Sequence, residues 1–179
     1  MKNRKQRLCA VTVLAAGLLA GCAKHSTDVA RTIDDRLDQA GLKDVTVRDD
    51  TDKGVVTLGG NVPTDADKAR AESIATPLAA GQVIANQIAV LPPGAEGDAK
   101  KVNDALDKGI EANLEAALVA EKLKDDVRYS VKSNVVTLSG NVETPELRAR
   151  AEQVAAGVPY VHQVVNELQV RKIKATTTK

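Results

Sequence analysis

Val55–Val90 reads VVTLGGNVPTDADKARAESIATPLAAGQVIANQIAV, and Val135–Val170 reads VVTLSGNVETPELRARAEQVAAGVPYVHQVVNELQV. The two stretches lie 80 residues apart and align without a gap, with fifteen of the 36 pairs identical. A solenoid unit would be shorter and would recur three or more times, so this period repeats a whole small domain. The chain is two copies of one module.

Working outward from the repeat, each copy reads as helix, strand, strand, helix, strand. Val29, Ile33, Leu37 and Ala40 form one stripe of an amphipathic first helix, matched by Ile110, Leu114 and Leu118, with Val102 and Leu106 extending the second stripe backwards. Gly109 inside that pattern argues against a single unbroken helix. A hairpin follows: Val45 and Val47 alternate with polar residues, Arg48 to Gly54 turn, and Val55 to Leu58 return. In the second copy Val127-Tyr129-Val131 and Val135–Leu138 are joined around Lys132-Ser133-Asn134, a turn about two residues shorter.

Thr64 and Thr144 supply N-cap hydroxyls for the second helix, and Pro145 occupies a first helical position that needs no N–H. That helix buries Ala71, Ile74, Ala75 and Leu78 in one copy, and Leu147, Ala151, Val154, Ala155 and Val158 in the other. A last strand alternates through Ile84, Asn86, Ile88 and Val90, and through Val164, Asn166, Leu168 and Val170. A strand–helix–strand crossover makes one pairing parallel, so each sheet is mixed. The fold class is α+β: two tandem αββαβ modules, each a three-stranded mixed sheet packed on two helices. The expected boundaries are 27–91 and 100–172, joined by a linker at 92–99 (Pro92-Pro93-Gly94-Ala95-Glu96-Gly97-Asp98 within it) and followed by a polar tail at 173–179.

Residues 1–21 read as a cleaved lipoprotein signal peptide. Lys2, Arg4, Lys5 and Arg7 precede an apolar run, Leu8 to Ala20, too short to span a bilayer of roughly 30 Å comfortably. The run ends in Leu19-Ala20-Gly21-Cys22, a lipobox in which small residues let the peptidase cut before an acylated cysteine. Cleavage discards Cys9 and acylation consumes Cys22, which leaves no thiol and no disulfide, as suits an oxidising envelope compartment. Two or more acyl chains on Cys22 give stable anchoring at about 0.8 kcal/mol per buried methylene. Ala23 in place of Asp after the cysteine resembles an outer-membrane address, on its periplasmic face.

Four of the 25 basic residues fall in the leader, leaving 21 against 24 acidic ones and a mature net charge of about −3. From Thr27 to Leu91 there are seven Lys/Arg and eleven Asp/Glu; from Lys100 to Lys172 there are eleven of each. With no Phe or Trp, and Tyr only at 129 and 160, the chain lacks both the basic surface and the stacking platform of a nucleic-acid binder.

The pattern V-V-T-L-[GS]-G-N-V, the helix with A-R-A-E, and V-x-N-x-[LI]-x-V resemble the BON domain, named for bacterial osmotically induced and nodulation-related proteins. The likeness covers nearly all of the mature chain, twice, an arrangement similar to that of dual BON-domain lipoproteins of the Gram-negative envelope. Gly60 and Gly140 are read as its turn glycines. Val158-Pro159-Tyr160-Val161 departs from the family's V-P-G-V by placing Tyr where Gly is usual. The resemblance implies an αββαβ fold, no enzymatic activity, no cofactor, and attachment to phospholipid with a part in maintaining the envelope under osmotic stress.

The recurring Asn61/Asn141 and Asn86/Asn166 are read as satisfying turn and strand-end backbone locally. Lys68, Arg70 and Glu72, and their counterparts Arg148, Arg150 and Glu152, are read as a solvated helix face with pairs one turn apart. Asp49, Asp50 and Asp52 are read as a solvated turn. His25 and His162 have no partner at ligand spacing, so no metal site is expected. The candidate phospholipid contacts are Lys101, Lys108, Lys122, Lys124, Arg128 and Tyr160, in the less acidic second copy. Only about five residues, at most ~18 Å, separate Cys22 from the first helix, which holds the acidic first copy near the bilayer. Two functions follow: a lipid-anchored protein docking on membrane phospholipid, or an adaptor whose sheet edges or helix faces recognise an envelope protein partner.

Overall fold

The computed structural model describes residues 26–171. Cys22, the lipobox at Leu19, Ala20 and Gly21, His25 and the tail at 173–179 lie outside the described residues. Module one runs α1 (Ser26–Gln39), β1 (Val45–Asp50), β2 (Val55–Val62), α2 (Asp65–Ala75), β3 (Val83–Asn86) and β4 (Ala89–Val90). Module two repeats this as α3 (Glu96–Ala120), β5 (Val127–Lys132), β6 (Val135–Val142), α4 (Pro145–Ala156), β7 (Gln163–Asn166) and β8 (Gln169–Val170). The strand order is β1-β2-β3 and β5-β6-β7; the hairpins are antiparallel and the third strand is parallel to the second.

The third strand of each sheet comes in two pieces. After Asn86 the side-chain Oδ1 accepts the Ile88 N–H at 3.4 Å, and after Asn166 it accepts the Leu168 N–H at 3.2 Å. These local bonds interrupt the ladder, which resumes in the same register at β4 and β8. The short turn of module two is Ser133-Asn134, with φ of 50° and 66° at the two residues, as a two-residue primed turn requires.

Several details differ from the reading of the sequence: Arg48, Asp49 and Asp50 extend β1 instead of turning, and Val102, expected to lengthen the buried stripe of α3, is 59 % exposed. Gly60 and Gly140 sit inside β2 and β6, opposite Val45 and Val127, and not in a turn. An added Cβ there would overlap the carbonyl oxygen of Asp44 or that of Asp126, so close approach of the first strand fixes both glycines. Helix α3 continues through Gly109 without a break, because Ile110, Leu114 and Leu118 are packed fully into the core on one side of it. The same helix starts at Glu96, so Glu96–Asp98 form its first turn instead of connecting chain.

Each module has its own aliphatic core: Ile33, Leu37, Val56, Leu58 and Ile88 in the first, and Ile110, Leu114, Leu118, Val136 and Leu138 in the second. Ala71, Ala75, Ala151 and Ala155, all fully buried, let the second helix approach its sheet closely. The opposite faces of the two sheets meet each other. Val55 and Ala85 pack against their own repeat equivalents, Val135 and Val165, in a third cluster. Lys53 and Glu167 pair across this junction at 2.9 Å, and Gln87 Nε2 donates to Thr137 Oγ1 at 3.4 Å. Among the described residues no helix is long and apolar enough to cross a membrane.

Candidate functional site

Helix α3 carries two stripes. Ile110, Leu114 and Leu118 face the core. On the opposite side Lys101, Ala105, Lys108, Ala112, Ala116 and Val119 follow one another at spacings of three and four, and all are exposed. Val119 is 56 % exposed, and Val102, on the same helix but off the stripe, is 59 % exposed. Of the acids of the helix, Asp98 lies along this stripe and Asp104, Glu111 and Glu115 flank it. Asp107 turns to the module-two hairpin, where its carboxylate accepts the Ser133 and Asn134 N–H groups, each at 2.9 Å. Asp98 pairs with Lys101 at 3.1 Å and Asp104 with Lys100 at 2.7 Å.

The candidate lipid contacts therefore separate into groups. Lys108, in the outward stripe, and Lys122, just past its end with φ of 57°, make no ion pair among the described residues. Lys101 shares the stripe and pairs with the exposed Asp98. Lys124 bonds Glu115 at 2.9 Å and lies 4.6 Å above the Tyr129 ring. Its hydrogen bonds to Glu115 and then Tyr129 hold its pKa above the ordinary lysine value, and the same contact holds Glu115 below the usual carboxylate range. Arg128 alternates with Val127 and Tyr129 and so occupies the sheet face turned away from α3. Tyr160, 69 % exposed, lines a hollow of about 310 Å³ between the modules with Lys68 and Asn103, on the other flank of α3. Arg128 and Tyr160 are not brought together with the lysine stripe.

The recurring asparagines and the recurring helix charges, read from sequence as separate features, form one knot in each module. Asn86 Nδ2 donates to the Lys68 carbonyl at 3.3 Å and to Glu72 Oε2 at 2.9 Å. Asn166 Nδ2 donates to the Arg148 carbonyl at 3.2 Å and to Glu152 Oε2 at 2.9 Å. Glu72 and Glu152 thus tie helix to strand and do not pair along the helix. Burial pushes the Lys68 ammonium pKa down, against the opposing pull of Asp65, Glu72 and Asp107. The aspartate cluster also divides: Asp50 pairs with Lys53 at 3.2 Å and Asp52 is exposed, but both carboxylate oxygens of Asp49 are buried without a partner among the described residues. Asn61 and Asn141 are exposed. Among the described residues no three His, Cys, Asp or Glu side chains gather where they could hold a metal ion.

Each module also has a groove between its two helices. In module two it encloses about 630 Å³ over Ala117, Val154 and Val158, and in module one about 410 Å³ over Ala40, Ile74 and Leu78.

The model of the BON domain matches this chain twice, at residues 25–92 and 106–172. The chain belongs to the BON domain family. No curated protein matches it. Among solved structures it is similar to CdsD, a structural protein of the type III secretion system of Chlamydia trachomatis, at 13 % identity and a TM-score of 0.36, over 80 % of this chain and 92 % of that one. A structure described as the C-terminal domain of CdsD matches at 12 % identity and a TM-score of 0.34, over 82 % of this chain and 67 % of that one. Within this BON protein, the two modules place equivalent residues at equivalent sites, so each serves as a control for the other.

Proposed function

We propose that this BON protein is anchored through acylated Cys22 to the periplasmic face of the outer membrane, and that its second module rests on anionic phospholipid through α3. The carrying observation is the contrast between two helices of equal position. Superposing Leu37 and Leu42 on Leu118 and Leu123 sets Arg31, Asp35 and Asp38 of α1 against Ala112, Ala116 and Val119 of α3. The same outward face is acidic in one module and apolar with lysines in the other. An anionic surface repels the first and attracts the second, at about 1 kcal/mol for each basic residue near it. The small apolar residues let α3 lie close to the headgroups, and the acyl anchor supplies the second of the two signals that stable attachment needs. In this reading the protein is a docking surface that helps maintain the envelope, and no reaction is assigned to it.

Sedimentation of the full chain carrying Cys22→Ser with phosphatidylglycerol vesicles tests the docking. Binding is expected at low salt, weakened by Lys108→Glu and by Val119→Glu and reduced as ionic strength rises. Equal binding to neutral phosphatidylcholine vesicles, or no effect of either substitution, would overturn it. Labelling with radioactive palmitate, abolished by Cys22→Ser, tests the anchor. Crosslinking to one dominant protein regardless of lipid composition would favour the adaptor function instead.

A further inference from the structure

The outer edges of β3 and β7 are twins in register and differ in what covers them. Ile84 and Asn86 pair with Val56 and Leu58, and Val164 and Asn166 pair with Val136 and Leu138. The Gln87 N–H bonds the Leu58 carbonyl and the Glu167 N–H bonds that of Leu138, so residues 83, 85 and 87 turn their backbone groups to β2, and 163, 165 and 167 turn theirs to β6. The Ile84 carbonyl and Asn86 N–H, and likewise the Val164 carbonyl and Asn166 N–H, point along the free edge. On β3 both are closed, because Gln163 Nε2 donates to the first and Gln163 Oε1 accepts from the second. On β7 neither is bonded from outside its sheet among the described residues. The twin of Gln163 there is Val83, which has no amide to offer and is 50 % exposed. Beside Val164 lies a hollow of about 260 Å³, with Glu152, Ala156, Val161 and His162 in its wall.

We infer that the β7 edge takes an extended peptide of a partner protein, added as a parallel strand beside residues 164–166. In a parallel pair, one residue donates its N–H to a carbonyl and accepts, at its own C=O, the N–H two residues further along the neighbour. The Gln163 amide makes that pair of bonds with Ile84 and Asn86, in that order, and so stands in for one residue of a parallel strand. A peptide group is thus what fits the filled edge, and the twin edge presents the same carbonyl and N–H. A second copy docking about a two-fold axis would meet this edge antiparallel, the wrong polarity for these two bonds. Main-chain bonds supply the affinity of an added strand, and hollows for alternate side chains supply its selectivity. Successive side chains of the peptide point to opposite faces. The one beside Val165 turns toward the module junction, and its neighbours turn toward α4, where Ala156 and Val161 offer space for small apolar groups. The site shares no residue with the lysine stripe of α3 and does not depend on it.

The test is an NMR titration of the full Cys22→Ser chain with the capped peptide acetyl-Thr-Val-Thr-Val-Thr-amide. Saturable shifts are expected at the amides of residues 163–167 and 152–156. An analogue N-methylated at its three central residues cannot donate to the Val164 carbonyl in either alternation, and is expected to bind at least tenfold more weakly. Val83→Gln, which gives β7 the plug that β3 already has, is expected to weaken the unmethylated peptide about tenfold without lowering the melting temperature. Lys108→Glu, which weakens sedimentation with vesicles, should leave the titration unchanged. Equal binding of the methylated analogue, indifference to Val83→Gln, or shifts confined to residues 45–50 or 127–132 would overturn the site. So would the absence of saturable shifts, or shifts at 163–167 on raising the protein concentration alone, the mark of a second copy.

Discussion

The side chain of Gln163 is paired with the backbone of Asn86 as a strand would be. Its Oε1 accepts the Asn86 N–H at 3.2 Å while its Nε2 donates to the Ile84 carbonyl at 2.5 Å, so one amide closes the free edge of β3. The repeat equivalent of Gln163 is Val83, half exposed, which can offer β7 no such pairing. Gln163→Val is expected to leave both modules folded and to cost about 1–3 kcal/mol, because two backbone groups lose their partner. Hydrogen exchange at the Asn86 amide should accelerate while the amides of β2 stay protected. Unchanged exchange would show that the modules do not hold this contact in solution.

Gly60→Ala and Gly140→Ala should destabilise their modules by roughly 3 kcal/mol or more, since a methyl group meets the carbonyl of Asp44 or Asp126 on a backbone with φ of 87° or 126°. Gly109→Ala is the contrasting case. A Cβ there meets nothing within 4 Å, and the helix is expected to gain about 0.5–1 kcal/mol. Urea unfolding of the three variants reads both signs.

Tyr160 holds φ at 68°, in the left-handed region that disfavours side chains, and its ring is exposed. Tyr160→Gly should therefore raise stability by up to about 1 kcal/mol. The bond from Asn134 Nδ2 to the residue-160 carbonyl, 3.0 Å, needs only the backbone and should persist. A fall in melting temperature would mean that the ring contributes packing on the module junction.

Lys53 is held above the ordinary lysine pKa, chiefly by its hydrogen bond to Glu167 and next by that to Asp50. A raised folded value stabilises the native state fully below the unfolded lysine pKa, and the contribution is lost as pH rises through the folded one. The stability margin of the parent chain over Lys53→Met, under about 1 kcal/mol for so exposed a pair, should be constant near neutrality and shrink once pH rises past the ordinary lysine value and through the raised one. Comparing the two proteins cancels Lys68, whose lowered pKa acts in the opposite sense. Denaturant midpoints across that range provide the measurement.

Much of the fold was legible because its causes are local. Thr64 and Thr144 cap α2 and α4 by accepting from the N–H groups of Asp67 and Leu147, at 3.1 and 3.3 Å, and the Val-rich alternation set the strands. What escaped depends on register across elements. Arg128 looked like a neighbour of Lys124 until the β5–β6 pairing put it on the far face. Glu72 and Asn86, fourteen residues apart, recur at the same separation as Glu152 and Asn166, and that shared spacing was the signal that could have joined them. Repetition could not reveal how the modules dock, because most of the polar docking residues differ between the copies: Gln163 against Val83, Lys53 against Ser133, Glu167 against Gln87.

Val55 and Ala85 meet Val135 and Val165, so each sheet hides its bare side against its own duplicate. Contacts of this kind, like against like about an approximate dyad, are how identical subunits form closed pairs. Tethering the twins in one polypeptide makes their union independent of protein concentration, so the pair stays assembled at dilutions where unlinked subunits would dissociate.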